Sequence, residues 1–378
     1  MKWATRQLDQ LGLVSRGRSR HRPRDAAHLY GGSFPFIQTG DVKHAGLYIT
    51  EYQQTYSEAG LAQSKLWPVG TLCITIAANI ADTAILGIEA CFPDSVIGFI
   101  PDPAEADARF VKYMFDATIQ EHVKQFTQGA AQDNLSQEKL LSLDFLVPKI
   151  DEQQRIASIL STYDNLIENN RRRMALLEDA ARQVYQEWFV RLRFPGREHT
   201  RIVDGVPEGW ERVPLESALV LQRGFDLPSQ DRSDGSVPIY ASTGVNGTHN
   251  VAKAKAPGVV TGRSGSLGKV HYVHEDYWPL NTTLWVKEFR RVTPLFAFFL
   301  LSSLQLDQYN GGVSVPTLDR KVVHKIEVVV PESKMQTLFS DYVLPMFTQL
   351  RNLGIYNDKL RTARDLLLPK LMNGEISV

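Results

Sequence analysis

Residues 261–270 read TGRSGSLGKV, placing Gly262, Gly265 and Gly268 ahead of Lys269 and behind the apolar pair Val259 and Val260. A glycine loop ending in lysine suggests a phosphate cradle, but the spacing fails that test. A P-loop needs a glycine five positions before its Gly-Lys pair, where this chain has Arg263, and a hydroxyl after the lysine, where it has Val270. A dinucleotide fingerprint fails as well, because its glycines are spaced two and three apart rather than three and three. Two readings remain. One is an ordinary glycine-rich turn between strands. The other is a flexible loop offering Arg263, Ser264 and Lys269, with several backbone N–H groups free to meet an anion.

A second stretch, SRGRSRHRPR at 15–24, carries Arg16, Arg18, Arg20, Arg22 and Arg24 at alternate positions. Gly17 and Pro23 make it a poor helix, so it reads as a loop or an extended edge. A solvated basic loop is one account of it. Phosphate contact is the other, because planar guanidinium groups match phosphate oxygens well.

Composition bounds the rest. The chain has 378 residues, 43% of them hydrophobic and 22% charged, with zero formal net charge, which excludes a blanket polycation. Nucleic-acid binding stays open, since it depends on where charges sit rather than on their sum. The length predicts two or three domains. No apolar run is long enough to span a bilayer and the first residues lack a signal-peptide core, so a cytoplasmic protein with no membrane association is expected. Cys73 and Cys91 have no metal-ligand spacing, so no metal site is expected. No methylase motif of the Asp/Asn-Pro-Pro-aromatic type, no paired carboxylates and no Ser/His/Asp set stand out, so no catalytic residue is predicted.

Self-comparison supplies the organisation. LSQEKLLSLDFLVP (135–148) and LDRKVVHKIEVVVP (318–331) align without a gap at one offset of 183, which continues through Gln153 and Gln336 and through Leu177 and Leu360. Upstream the match is looser: FPFIQTGDV (34–42) resembles VPIYASTGV (237–245), and CFPDSVIGF (91–99) resembles YWPLNTTLW (277–285). In each half, WPVGTLCITIAA (67–78) and KAKAPGVVTGRS (253–264) read as a turn entering a buried strand. Residues 107–126 and 292–309 read as helices followed by glycine loops at 128–136 and 310–319.

Each half ends in a long helix. Its first copy has a heptad seam at Ile156, Leu160, Tyr163, Ile167, Asn170, Met174, Leu177, Ala181, Val184 and Trp188. The offset carries the seam to Phe339, Val343, Met346, Leu350, Leu353, Asn357, Leu360, Arg364, Leu367 and Leu371. Arg364 interrupts the second seam, and Pro345 predicts a kink or a late start. Asn170 reads either as a register-setting polar residue or as a solvent-facing one. Two helices of about 35 residues would each be roughly 50 Å long and could pair antiparallel. The globular parts would then be related by an approximate two-fold axis, a geometry suited to two readers about one turn, or about 34 Å, apart on a duplex.

With these residues in view, FLVPKIDEQQRIASILSTYDNLIENNRRRMALLE (145–178) resembles the signature of specificity subunits of type I restriction–modification enzymes. It has a strand ending in proline, the Glu152–Gln153 pair, and a long helix with an Asn-Arg-Arg cluster. The resemblance runs end to end, although the second copy has Met335 in place of Glu152 and lacks the arginine cluster. It implies an α+β chain with two mixed target-recognition domains, 1–148 and 196–330, and two spacer helices, 149–195 and 331–378, paired as an antiparallel coiled coil. It also implies a non-catalytic chain, each recognition domain reading half of a bipartite, asymmetric site in double-stranded DNA. Two modification subunits and the restriction subunits would be its partners. S-adenosylmethionine, ATP and magnesium would reside on those partners, with no cofactor in this chain.

The candidate DNA contacts are Arg16, Arg18, Arg20, Arg22, Gln38 and Thr39 in the first half. In the second they are Arg223, Ser242, Thr243, Arg263, Ser264 and Lys269. Glu152, Gln153, Arg171, Arg172 and Arg173 are the candidates for partner binding, with duplex contact between the half-sites as the other reading of the arginines. An assembly scaffold with no readout of its own is the competing function.

Overall fold

The computed structural model describes residues 3–77, 80–127, 136–312 and 314–378, with the backbone alone over 119–127. Most of the first predicted glycine loop, 128–135, lies outside the described residues. The chain divides into two compact units, one of residues 1–173 with 353–378 and the other of residues 174–352. Each unit takes a stretch of both long helices. These helices are α4 (Ile150–Tyr185) and α6 (Ser333–Met372).

The first unit holds a five-stranded sheet of β1 (Gly12–Arg16), β2 (Tyr48–Ile49), β3 (Leu72–Thr75), β4 (Thr83–Leu86) and β5 (Val96–Pro101). The strand order is β1-β5-β3-β4-β2. All four residues of β3 are buried, with side chains alternating between two cores. Leu72 and Ile74 join Phe110, Val111 and Met114 of helix α3 (Ala108–Thr127), while Cys73 joins Trp67, Ala84, Leu86 and Phe92. A strand buried on both faces therefore reads as an unbroken apolar run rather than an alternating one. Gly98, opposite Cys73, leaves room for Trp67: a Cβ there would lie 2.5 Å from its ring. Trp67 stacks on Phe92 at a centroid distance of 4.7 Å.

Two short helices, α1 (Thr39–His44) and α2 (Glu58–Ala62), complete the part of this unit used below. The sequence reading puts Gln38 and Thr39 on a loop. Instead, Gln38 is the N-cap of α1, its backbone N–H donating to Asp41 Oδ2 at 2.7 Å, and Thr39 is the first helical residue. Asp41 favours the helix because its carboxylate takes an otherwise orphaned N–H.

The second unit has a four-stranded sheet of β6 (Leu219–Arg223), β12 (Thr283–Phe289), β9 (Gly258–Gly262) and β10 (Val270–Val273), in that order. A three-stranded sheet runs β8 (Gly244–His249), β7 (Val237–Ala241), β11 (Trp278–Pro279). Val259 faces the main core with Leu284, Val286 and helix α5 (Pro294–Ser303), and Val260 faces a smaller one with Val273 and Tyr277. Here too the predicted buried strand is present.

Within the first unit α4 and α6 run antiparallel: Asp164 pairs with Arg364, and Asn170 further along α4 pairs with Asn357 further back along α6. The seam is buried at Ile156, Leu160, Ile167, Asn170, Leu353, Asn357 and Leu360. In the second unit Ala181 and Trp188 share one core with Phe339, Val343 and Leu350. Two expectations are corrected. The helix α6 does not start late at Pro345, which lies inside a continuous span of 40 residues. Proline there forfeits one backbone hydrogen bond, while buried Val343 and Phe347 on either side hold the helix down. Nor does Arg364 break the seam, because it pairs with Asp164, which also accepts from Tyr113 Oη of α3 at 2.5 Å.

Candidate nucleic-acid interface

In the first unit the arginine run begins at the end of β1 and turns away from the sheet. Arg16 Nε donates to the Asp94 carbonyl at 3.0 Å, and Arg24 places one nitrogen 2.8 Å from the Asp94 carboxylate. Arg22 donates to the Ser19 and His21 carbonyls at 2.7 and 2.8 Å. The side chains of Arg18 and Arg20 are exposed and make no hydrogen bond or ion pair among the described residues. Their backbone is nevertheless fixed. Arg18 N–H donates to the Phe92 carbonyl, the Arg18 carbonyl accepts from Ser64 Oγ, and Gln63 Oε1 accepts from the N–H groups of Arg20 and His21. A rigid loop thus presents two unneutralised guanidinium groups to solvent, an arrangement suited to phosphate or guanine. Gln38 is exposed, with Nε2 bound to Gln54 Oε1 at 2.6 Å, and Thr39 is half-buried.

The second unit repeats the construction at the end of β6. Gly224 follows Arg223 as Gly17 follows Arg16. The N–H groups of Gly17 and Arg18 donate to the Val96 and Phe92 carbonyls, while those of Gly224 and Phe225 donate to the Thr283 and Pro279 carbonyls. A Cβ at either glycine would fall within 2.3 Å of a backbone oxygen in the turn before the partner strand, so each Arg-Gly step is seated on the corresponding turn. These Arg-Gly pairs share the offset of Trp3 with Trp210, a signal present in the sequence but overlooked among the looser upstream matches.

Around Arg223 the structure gathers several second-half candidates. Arg223 lies 3.5 Å from Asp226 Oδ1, Asn281 Nδ2 donates to that same oxygen, and Arg263 donates to the Asn281 carbonyl at 3.3 Å. Three adjacent strands, β6, β12 and β9, place these residues at one end of the sheet. Lys269 Nζ reaches the Thr243 carbonyl at 3.2 Å, tying the glycine loop to the turn between β7 and β8. Burial first, and Lys269 second, hold the His271 imidazole below its ordinary pKa.

The glycine loop itself differs from the anion-binding expectation. The Gly262 N–H donates to the Lys269 carbonyl, those of Arg263 and Ser264 to the Thr282 carbonyl, and that of Gly265 to the Pro316 carbonyl. A Cβ at Gly262 would lie 1.8 Å from the Ser266 carbonyl oxygen, so the glycine closes a tight turn between β9 and β10. The N–H groups of residues 262–265 are therefore used by the fold rather than turned to an anion. Of the candidate side chains, Ser242 is buried against Gly262 and Gly265, which removes it from the accessible set, while Thr243 is exposed. Ser264 is half-buried and held by its backbone.

The helix candidates divide sharply. Glu152 and Gln153, expected on a docking face, are buried in the first unit. Glu152 accepts from Trp3 Nε1 at 3.3 Å. Gln153 donates to the Glu105 and Pro148 carbonyls and accepts from the Asp107 N–H. Gln336 makes the same set in its own unit, donating to Arg291 and Pro331 and accepting from Thr293 N–H. Both glutamines therefore anchor a long helix to the loop before a shorter one, and their amides have nothing left to offer a partner. Arg171, Arg172 and Arg173 are exposed, the first two within 3.9 and 3.0 Å of Glu168.

Among the described residues no three or more His, Cys, Asp or Glu side chains gather as a metal site, and no helix is long and apolar enough to cross a membrane. Sequence reasoning missed Asp226 and Asn281, whose pairing spans 55 positions.

The class defined by this arrangement is an α+β chain of duplicated construction, with polar loops displayed at the ends of repeated sheets. Comparison with known proteins makes the assignment specific. Residues 1–179 match the family model of the type I restriction modification DNA specificity domain. The MjaIX type I restriction enzyme specificity subunit of Methanocaldococcus jannaschii is 22% identical over 408 residues, covering 100% of this chain and 94% of that protein. The HindI specificity subunit of Haemophilus influenzae is 36% identical over 70 residues, covering 18% of this chain and 15% of that protein. A crystal structure of the type I restriction–modification S subunit from M. genitalium shares the fold at a TM-score of 0.65 and 18% identity, covering 98% of this chain and 96% of that one. Residues 1–179 thus carry the DNA specificity domain of type I restriction–modification systems, and the chain is similar along its whole length to a specificity subunit of such an enzyme.

Proposed function

We propose that the two globular parts, 1–148 and 196–330, each read one half of a bipartite, asymmetric target in double-stranded DNA, and that this chain performs no chemistry on it. The spacer helices, 149–195 and 331–378, set the distance between half-sites and dock two modification subunits, to which restriction subunits are added. S-adenosylmethionine, ATP and magnesium then reside on those partners, in the cytoplasm. The observation that carries this reading is the matched anchoring of Gln153 and Gln336, each tying a long helix to the loop before a shorter one, in two units whose Arg-Gly loops carry different side chains. Repetition of the support with divergence of the displayed loops is what two readers of different half-sites require.

Within this reading Arg18 and Arg20 meet phosphate or guanine in the first half-site, with Arg16, Arg22, Gln38 and Thr39 at its margin. Arg223 and Arg263 read base edges in the second, and Thr243, Ser264 and Lys269 flank them. The exposed arginines 171–173 face a modification subunit. The test is reconstitution: the chain alone, given DNA and S-adenosylmethionine, leaves DNA unmethylated, and adding modification subunits yields methylation at one two-part sequence. Methylation by the chain alone contradicts the proposal.

A further inference from the structure

The aromatic rings beside the two Arg-Gly steps each carry a lysine that no candidate set includes. In the first unit Lys65 Nζ stands 3.7 Å from the centroid of the Trp67 ring, which is itself fully buried. Its neighbours Gln63 and Ser64 are the residues hydrogen-bonded to the arginine loop, so Lys65 sits beside Arg18. In the second unit Lys253 Nζ stands 5.2 Å from the Trp278 ring and 5.9 Å from Phe225, the residue in the place of Arg18 after its Arg-Gly step. Each lysine lies just before a short antiparallel bridge, Lys65 two residues before Trp67 with Ala90 and Lys253 one residue before Ala254 with Tyr277.

Neither ammonium has a carboxylate partner among the described residues. The contrast with nearby cations is direct: Arg24 is neutralised by Asp94 and Lys255 by Asp276 at 2.6 Å. A ring face holds a cation by its quadrupole without neutralising it, so it fixes the position of the charge and leaves it available. In the first unit the uncompensated charge is also crowded. Burial, and then the Arg18 guanidinium, pull the Lys65 pKa below its ordinary value. A fold that fixes a cation with no acid to answer it is suited to an external anion, and each unit carries one such cation beside its Arg-Gly step.

We propose that Lys65 and Lys253 are contacts to DNA phosphodiester groups, one in each unit, that set the register of the adjacent Arg-Gly loops on the duplex. The assignment rests on the recognition reading above and deepens it. A ring-held ammonium acts as a point charge, so it contributes affinity without base preference.

The experiment uses the chain assembled with its modification subunits and measures DNA affinity across a salt series. Each neutralised phosphate contact is worth about 0.9 in the slope of log K against log salt. Lys65→Gln and Lys253→Gln are each expected to reduce the slope by about that amount and the double variant by about twice as much. The methylated sequence is expected to stay the same. Lys65→Arg and Lys253→Arg keep the charge and are expected to keep most of the slope, while Lys255→Gln leaves it unchanged. Thermal unfolding of each complex identifies the folded variants, and the arginine variants carry the test if a glutamine variant fails to assemble. An unchanged slope in folded glutamine variants, or an arginine variant that loses the slope while folded, overturns the assignment. A changed base preference also overturns it, in favour of base contact. A wild-type complex that binds all DNA sequences equally but keeps its lysine-dependent slope would instead overturn the recognition reading and leave the phosphate contacts standing.

Discussion

Asn170 Nδ2 donates to Asn357 Oδ1 at 2.8 Å, joining the two long helices inside the first unit where both residues are at most 4% exposed. Asn357 Nδ2 turns to the Ile167 carbonyl at 3.4 Å, so the pair is bonded beyond itself. A buried polar pair between apolar seam layers favours one register, because sliding either helix would oppose an amide to leucine.

Single replacement of this pair is therefore expected to cost more than double replacement. Asn170→Leu leaves the Asn357 oxygen buried without its donor, and an unsatisfied buried group costs about 1–3 kcal/mol. Asn170→Leu with Asn357→Leu is expected to recover much of that loss, since well-packed apolar residues often replace a buried polar pair at little cost. Urea unfolding of the four chains measures the coupling. Additive single losses would show that the amides act independently.

The paired anchors Gln153 and Gln336 give a second prediction. Replacing either by alanine removes three hydrogen bonds and strands buried backbone groups, for an expected loss of about 2 kcal/mol in its own unit. Glutamate at these positions is expected to be worse than alanine, because an ionised carboxylate cannot donate and sets a buried negative charge against the two carbonyl oxygens. Hydrogen exchange localises the effect: Gln153→Ala should loosen residues 105–107 and Gln336→Ala residues 291–293. Loosening at neither place contradicts an anchoring role.

Alkaline pH tests the core around Tyr185. Its ring packs on Phe296, Phe299 and Phe339, and burial pushes the phenol up to about 12, opposed by the bond to Ser303. An unfolded tyrosine loses its proton near pH 10, so the raised folded value favours the fold fully below that point. The advantage disappears as pH rises from about 10 through about 12, at about 1.4 kcal/mol per pH unit. Tyr185→Phe should show a shallower alkaline loss in unfolding experiments at fixed temperature. Identical slopes for the two chains would contradict the burial of this phenol.

Asp226 and Asn281 give a prediction about specificity. An exposed carboxylate repels phosphate, so Asp226 suits a DNA face only by orienting Arg223 and Asn281 or by accepting from a base edge. Asn281→Ala in the assembled methylase is expected to relax one base position of one half-site by about 1–3 kcal/mol, with the salt slope unchanged. Sequencing of methylated sites reads the first quantity and a salt series the second. A uniform loss across all sequences would assign Asn281 to support alone.

What could be read from the chain divides along the range of the interactions. The heptad seam was legible because helix periodicity is local, and Leu160, Ile167, Leu353 and Leu360 are buried where it places them. The strands at Leu72 and Val259 were legible as apolar runs bounded by turns. Arg364 was misread as a break because its partner Asp164 is 200 positions away and looks like any solvated helix residue. The aligned stretches at 34–42 and 237–245 conceal different structures, since Asp41 caps a helix while Ser242 and Thr243 turn a hairpin. Backbone donors in the glycine loop could not be scored either, because their acceptors, Thr282 and Pro316, come from distant strands and turns. Charge runs show where guanidinium groups are numerous. Only the fold shows that Arg24 is neutralised and Arg18 is not.

The central claim is that each unit reads its own half of the target. It is tested most directly by replacing residues 196–330 with the corresponding segment of a relative of different specificity and mapping methylated sites in cells that also express the modification subunits. The account predicts a hybrid site in which one half is retained, the other is exchanged and the spacing is kept. An unchanged site, or one altered in both halves, would contradict it.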